Sequence, residues 1–201
     1  MHKWIIIGGG IQGMTLANFL RKQKAVTAEE IAIIDPHEEP LADWKRCTET
    51  ISMPFLRSPF VHHLDVEPFS LTNHAKNSPF SEDASFFGRL KRPSLSLFHE
   101  HCEHLVREQH IRRSWIQGRV ASINRIENGW HVQLEDGTEI SGTNIVLAIG
   151  AGEQLHWPDW AQQLRADSPG SVYHVFDREL PEFNLSQAPF TVSAAALPRS
   201  I

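Results

Sequence analysis

The chain has 201 residues but only two cysteines, Cys47 and Cys102, and no C-x-x-C pair. That scarcity excludes a disulfide scaffold and argues against a redox enzyme that passes electrons to a local dithiol. The one tyrosine, Tyr173, offers no Tyr/Lys catalytic pair. No apolar run approaches transmembrane length, and Met1-His2-Lys3 leads straight into an apolar run without a signal-peptide pattern. A cytoplasmic location and no membrane partner are therefore expected. Basic residues are scattered, the Arg89-Leu90-Lys91-Arg92 cluster is short, and the formal net charge is −5, so no nucleic-acid partner is expected. That cluster reads as a solvated turn or a contact for a bound phosphate. An apolar content of 41% over this length supports one domain, or one and a fraction.

What is present is concentrated in the first 35 residues. Trp4 to Ile7 is an apolar run, Gly8-Gly9-Gly10-Ile11-Gln12-Gly13 is a glycine turn, the segment to Lys24 is apolar-periodic, and Ile31 to Asp35 ends in an acid. The order is strand, turn, helix, strand, acid, and Gly8, Gly10 and Gly13 satisfy G-x-G-x-x-G. Gly8 can take the tight turn, Gly10 has no side chain to keep the backbone from a pyrophosphate, and Gly13 lets the helix lie close to the strand. Ile11 and Gln12 open that helix, whose unpaired amides and partial positive charge face the pyrophosphate. Asp35 stands where a ribose hydroxyl needs an acceptor. It favours a free 2′-hydroxyl, which points to FAD or NAD rather than NADP at this first site.

The first helix is expected from Ile11 to Lys24, with Met14, Ala17 and Leu20 on one side and Arg21, Lys22 and Lys24 in its last turn. From Pro36 to about Pro93 there is no clear period, and a loop of that length usually serves a site, here the far half of the cofactor. Within it, Met53 to Leu64 has two readings of equal weight. In one, Phe55, Leu56, Phe60 and Leu64 dock into the core while Arg57 stays in water. In the other, Arg57 neutralises a phosphate, with Ser58 or a histidine near an aromatic ring system. His62 and His63 are adjacent on an extended segment and point opposite ways, which disfavours a metal pair.

Ser94 is expected to cap a helix reaching about Gln109, with Phe98, Cys102, Leu105 and Val106 inward. It carries His99-Glu100-His101-Cys102-Glu103-His104, which is not H-E-x-x-H. Only His101 and His104 have useful helical spacing, so a solvated, charged helix face is expected rather than a metal site. A β-rich block opens at Trp115. Val120 to Arg125, Trp130 to Leu134 and Thr138 to Ile140 form a three-stranded meander, joined by turns ending at Gly129 and Gly137. Asn144 to Ile149 is a continuous apolar strand that should return to the buried parallel sheet and end at Gly150-Ala151-Gly152, where Gly150 again permits close backbone approach. Beyond it a loop and short helix (His156 to Arg165), strands at Ser171 to Val175 and Pro189 to Val192, and a frayed end are expected.

In this order the chain resembles the flavoproteins with two dinucleotide-binding domains, most closely the flavin-dependent monooxygenases that include the ornithine and lysine N-hydroxylating enzymes. Gly8, Gly10, Gly13 and Asp35 match the FAD motif, with Asp where Glu is commoner. Trp44 and Met53 to Ser58, including Arg57, resemble that family's tryptophan and its loop lying over the flavin. Val120 resembles the residue whose backbone meets the adenine, and Ile145 to Gly150, followed by Pro158, the strand-then-Gly signature closing the first FAD segment. His174-Val175-Phe176-Asp177 falls where such enzymes carry a histidine-containing segment. The implied fold class is α/β: a Rossmann-like FAD-binding domain with a parallel sheet plus a three-stranded β-meander. Residues 1–150 would be the FAD-binding domain, with the meander at about 119–141, and 151–201 a connecting segment and the start of an incomplete NAD(P)-binding domain.

The pattern then breaks, because Ser193-Ala194-Ala195-Ala196 stands where a second glycine turn would follow Phe190-Thr191-Val192. The expectation is an FAD-binding segment truncated before the NADPH domain, without a competent NADPH site of its own. In a full-length relative NADPH reduces FAD, and the reduced flavin activates oxygen toward a small-molecule substrate. No side chain is nominated as acid, base or nucleophile, because the cofactor carries the chemistry. The rival expectations are a non-catalytic nucleotide-binding remnant or interaction module and an NAD-dependent dehydrogenase. A homo-oligomer through exposed sheet surface is a further expectation.

Overall fold

The computed structural model describes residues 1–24, 26–77, 82–150 and 155–177. The chain divides into two compact units, Met1–Gln154 and Leu155–Ile201. In the first unit β1 (His2–Ile7) runs through the glycine turn into α1 (Ile11–Lys22) and returns as β2 (Ile31–Asp35). After α2 (Ala42–Thr50), α3 (Ser70–Lys76), the single turn α4 (Glu82–Ser85) and two-residue strands β3 (Phe86–Phe87) and β4 (Arg92–Pro93), the long helix α5 (Leu95–Glu108) follows. The unit closes with β5 (Trp115–Gln117), β6 (Val120–Ile126), β7 (Gly129–Leu134) and β8 (Glu139–Leu147).

Strands β5-β2-β1-β8-β7-β6 form one six-stranded sheet in that order. The pairs β5·β2, β2·β1 and β1·β8 are parallel, while β8·β7 and β7·β6 are antiparallel. Both faces of the central strands are covered, which is why Ile5-Ile6-Ile7 and Ile31 to Ile34 need no polar alternation. Ile6, Ile31 and Ile33 pack with Met14, Ala17 and Leu20 of α1 and with Leu97, Phe98 and Leu105 of α5. Ile5, Ile7, Ala32 and Ile34 pack on the other face with Val132, Leu134 and Ile140. Ile5, Ile6 and Ile33 are fully buried, and each contributes on the order of 2 kcal/mol of transfer free energy.

Four local expectations change. The Pro36 to Pro93 segment holds α2, α3 and the β3/β4 hairpin; its helices are too short and too charged for an apolar period to show. Trp115–Gln117 is a strand of the parallel sheet, with Ile34 opposite Ile116. The third meander strand and the returning strand are one element, β8, which pairs with β7 through Gly142 and with β1 from Gly142 onward. Gly142 joins the two halves because a Cβ there would crowd Ile5 and the His2 carbonyl. The returning half is also not buried: Leu147 is 61% exposed and Ile149 67%. Past Gly142, β7 has no described pairing with it, so that edge carries no neighbouring strand among the described residues.

Of the second unit, α6 (Asp159–Asp167) follows Pro158, and Arg165 lies over the Trp157 ring at 4.7 Å. Ser171 to Val175 is not a strand but turns, with Ser171 N–H donating to the Ser168 carbonyl and Asp177 N–H to that of His174. Gly152, the strand expected at Pro189 to Val192 and the end to Ile201 lie outside the described residues. Among the described residues no helix is long and apolar enough to cross a membrane.

Candidate functional site

The glycine turn sits at the carboxyl ends of β1, β2 and β8. Gly8 has φ +109°, its N–H donates to the Ile34 carbonyl at 2.8 Å, and a Cβ on it would collide with the Ala148 carbonyl. A Cβ on Gly13 would collide with the Gly8 carbonyl oxygen, so α1 can approach β1 this closely only without a side chain there. At Gly10 a Cβ would meet nothing within 4 Å. The backbone there is open to approach. Gly10 gives α1 no side-chain cap, the first turn holds no acid, and the first turn-closing bond is Met14 N–H to the Gly10 carbonyl at 2.9 Å. The leading amides of α1, through Ile11 and Gln12, therefore begin a helix whose positive end nothing in its own first turn neutralises. Gly150, two residues past Ala148, also has positive φ (+63°) and open space where a Cβ would stand.

Asp35 closes the other side of the turn. Its Oδ2 accepts the Gly9 N–H at 2.6 Å, and its Oδ1 accepts the His37 N–H at 2.9 Å and lies 2.7 Å from the His37 ring Nδ1. Gly118 N–H donates to the Asp35 carbonyl at 2.9 Å, tying the chain two residues before β6 to the end of β2. Val120 is half-buried on the meander face and pairs with Leu134.

Other expected residues lie further into the helical layer. Trp44, on α2, packs against Phe98 with ring centroids 6.0 Å apart, and its indole N–H is buried without a partner among the described residues. Met53 packs against the same core, its N–H on the Thr48 carbonyl at 3.1 Å. The following loop is pinned to the start of α5, where Leu56 N–H meets the Pro93 carbonyl at 2.8 Å and Leu95 N–H the Pro54 carbonyl at 3.0 Å. Leu56 and Leu64 are buried, whereas Phe55 and Phe60 are half-buried on Phe87 and Phe69. Arg57 is exposed and Ser58 half-exposed, and no described contact joins either to the glycine turn.

Three residues that build this edge escaped the sequence reading. Trp115 packs its ring where a Gly9 side chain would stand and donates its indole N–H to the His37 carbonyl at 3.2 Å. Leu41, buried at φ 64°, donates its N–H to the Gly9 carbonyl at 2.9 Å, tying the start of α2 to the turn. His37 is the third. Its position two residues past the acid was a visible signal, since an Asx turn forms at that spacing.

Ser94 caps α5 through Leu97 N–H at 3.3 Å, and Cys102 is buried, which pushes its thiol pKa up. The histidine-rich face of α5 is not wholly solvated. His101 is fully buried, its Nε2 lies 2.8 Å from the Ser70 hydroxyl, and Ser70 in turn donates to Asp65, which pairs with Lys22 at 2.6 Å. The rings of His63 and His74 flank His101 at 5.2 and 5.4 Å. Burial, then the neighbouring histidines, push the His101 pKa down to about 3. Among the described residues no group of three His, Cys, Asp or Glu is placed to hold a metal ion.

An open glycine turn, an uncapped helix and an acid ending the second strand of a mostly parallel sheet define an α/β dinucleotide-binding domain. A family model described as FAD-NAD(P)-binding matches residues 5–152, and the chain belongs to that family. No curated protein matches the sequence. Among solved structures, a cyclohexanone monooxygenase mutant from Rhodococcus sp. Phi1 bound to NADP+ is similar over 78% of this chain, with 16% identity and a TM-score of 0.57. A flavin-containing monooxygenase from Stenotrophomonas maltophilia is similar over 79%, with 17% identity and a TM-score of 0.52. At such identities the likeness is one of fold. The chain spans 28% and 42% of those two proteins.

Proposed function

We propose that residues 1–150 bind FAD and serve as the flavin-binding segment of an NAD(P)H-using oxidoreductase of the monooxygenase type. The observation that carries this reading is the open space at Gly10 in front of the uncapped start of α1, which fits a diphosphate held by main-chain amides. The amides at Gly10, Ile11 and Gln12 hold the diphosphate, Gly8 and Gly13 shape the turn that presents them, Asp35 takes the ribose, the backbone at Val120 meets the adenine, and Gly150 lets the chain approach the ligand. Trp44, Met53, Arg57 and Ser58 serve the flavin half, and the unpartnered indole N–H of Trp44 is a donor awaiting an acceptor. FAD supplies hydride acceptance and oxygen activation when bound; the protein supplies position and electrostatics.

In this reading the full-length enzyme is of the N-hydroxylating type, through the Met53 to Ser58 loop, with a small nucleophilic molecule as substrate and NADPH as reductant. Residues 151–201 are then the connection toward an NAD(P)-binding domain. The exposed Leu147 and Ile149 support a homo-oligomer or a second domain on that face. The test is reconstitution with FAD, gel filtration, and heat release of the chromophore. A yellow protein that gives up one FAD per chain supports the proposal. A colourless protein stabilised by NAD alone supports a dehydrogenase instead.

A further inference from the structure

The segment after β2 is held more firmly than a turn requires. Its three successive carbonyls, at Asp35, Pro36 and His37, accept from Gly118 N–H, Gln117 Nε2 and Trp115 Nε1 at 2.9, 3.4 and 3.2 Å. The Asx turn needs only the His37 backbone N–H on Asp35 Oδ1. The ring adds a second bond to the same oxygen. At 2.7 Å from a carboxylate, Nδ1 carries its proton, which fixes the tautomer. The ring is 25% exposed, and the polar contact described for it is the one to the carboxylate.

An ionised carboxylate offers about four acceptor positions. Gly9 N–H takes one on Oδ2 and His37 takes two on Oδ1, leaving one on Oδ2 in a side chain that is 13% exposed. We propose that His37 is a specificity-determining positioning residue, whose ring fixes the Asp35 carboxylate so that its remaining acceptor site reads the 2′-hydroxyl of an unphosphorylated adenosine ribose. This rests on the nucleotide-binding reading above. A ribose hydroxyl donates to that site; a 2′-phosphate brings only acceptors and negative charge to it.

Calorimetry on the full chain with ADP and 2′-deoxy-ADP tests the proposal, in the wild type, His37→Ala and His37→Asn. The wild type binds ADP about tenfold more tightly than 2′-deoxy-ADP, the worth of one charge-assisted hydrogen bond. His37→Ala narrows that ratio to less than about threefold. His37→Asn, whose amide supplies a donor near the place of Nδ1, keeps it near tenfold. A purely structural role would weaken both ligands alike and leave the ratio unmoved. An unchanged ratio in His37→Ala, or a collapsed one in His37→Asn, overturns the role of His37 alone. Failure of the wild type to bind either nucleotide at millimolar concentration overturns the nucleotide-binding reading and this inference with it.

Discussion

Gly13 lies so close to Gly8 that a single methyl group on it would collide with the Gly8 carbonyl oxygen. The first turn of α1 is thereby pressed against the chain as it leaves β1. Gly10, three residues earlier, faces open space. The two glycines of one motif thus serve different ends, packing at position 13 and access at position 10.

Gly13→Ala should cost about 2 to 3 kcal/mol, since the obstacle is backbone that cannot rotate away. Gly10→Ala, at φ −77°, should leave stability within about 0.5 kcal/mol. Its methyl group would instead occupy the pyrophosphate approach and weaken FAD binding by more than tenfold. Urea unfolding and calorimetry on the two variants separate these effects.

Much of this edge was legible because the physics is local. A glycine turn between an apolar run and an amphipathic segment, followed by a run ending in Asp35, specifies β1, α1 and β2 without long-range information, and these elements form as expected. Ser94 as a cap and the inward face of α5 are equally local. Illegible features depended on partners distant in sequence. Nothing near Trp115 announces that its ring will stand over Gly9, and nothing near His101 announces Ser70 and Asp65. Likewise Asn144 to Ile149 is apolar enough to be buried, but side-chain exposure depends on what packs over the faces of the sheet, and Leu147 and Ile149 are exposed.

Trp115→Ala removes the ring that fills the space over Gly9 and the bond to the His37 carbonyl. A loss of about 3 kcal/mol is expected from the truncated aromatic and the cavity it leaves. Trp115→Phe, which keeps most of the packing, should cost less than half as much in the same denaturation experiment.

Acid should destabilise the first unit before its carboxylates titrate. His101 is held neutral down to about pH 3, whereas in the unfolded chain its pKa is near the ordinary 6.5. Between those values the unfolded state binds the proton and the folded state does not, so stability is full above about pH 6.5 and falls as pH drops toward 3. His63 and His74 are shifted downward by burial as well and add to the slope in the same sense. Unfolding free energies at pH 7 and pH 5 should differ by about 1 to 2 kcal/mol, and His101→Gln should flatten the dependence.

His110 closes α5 in the left-handed region at φ 55° and is exposed. His110→Gly relieves that conformation and should raise stability by about 0.5 to 1 kcal/mol, net of the added freedom of the unfolded chain. Thermal unfolding of the variant reads this as a rise of a few degrees.

The most direct test of the nucleotide-binding account is calorimetric titration of FAD into the full chain, with Gly10→Ala as the matched control. The account predicts one site of micromolar or tighter affinity in the wild type and a loss of more than tenfold in the variant, with both proteins equally folded. No heat at millimolar FAD, or equal binding by both proteins, contradicts it.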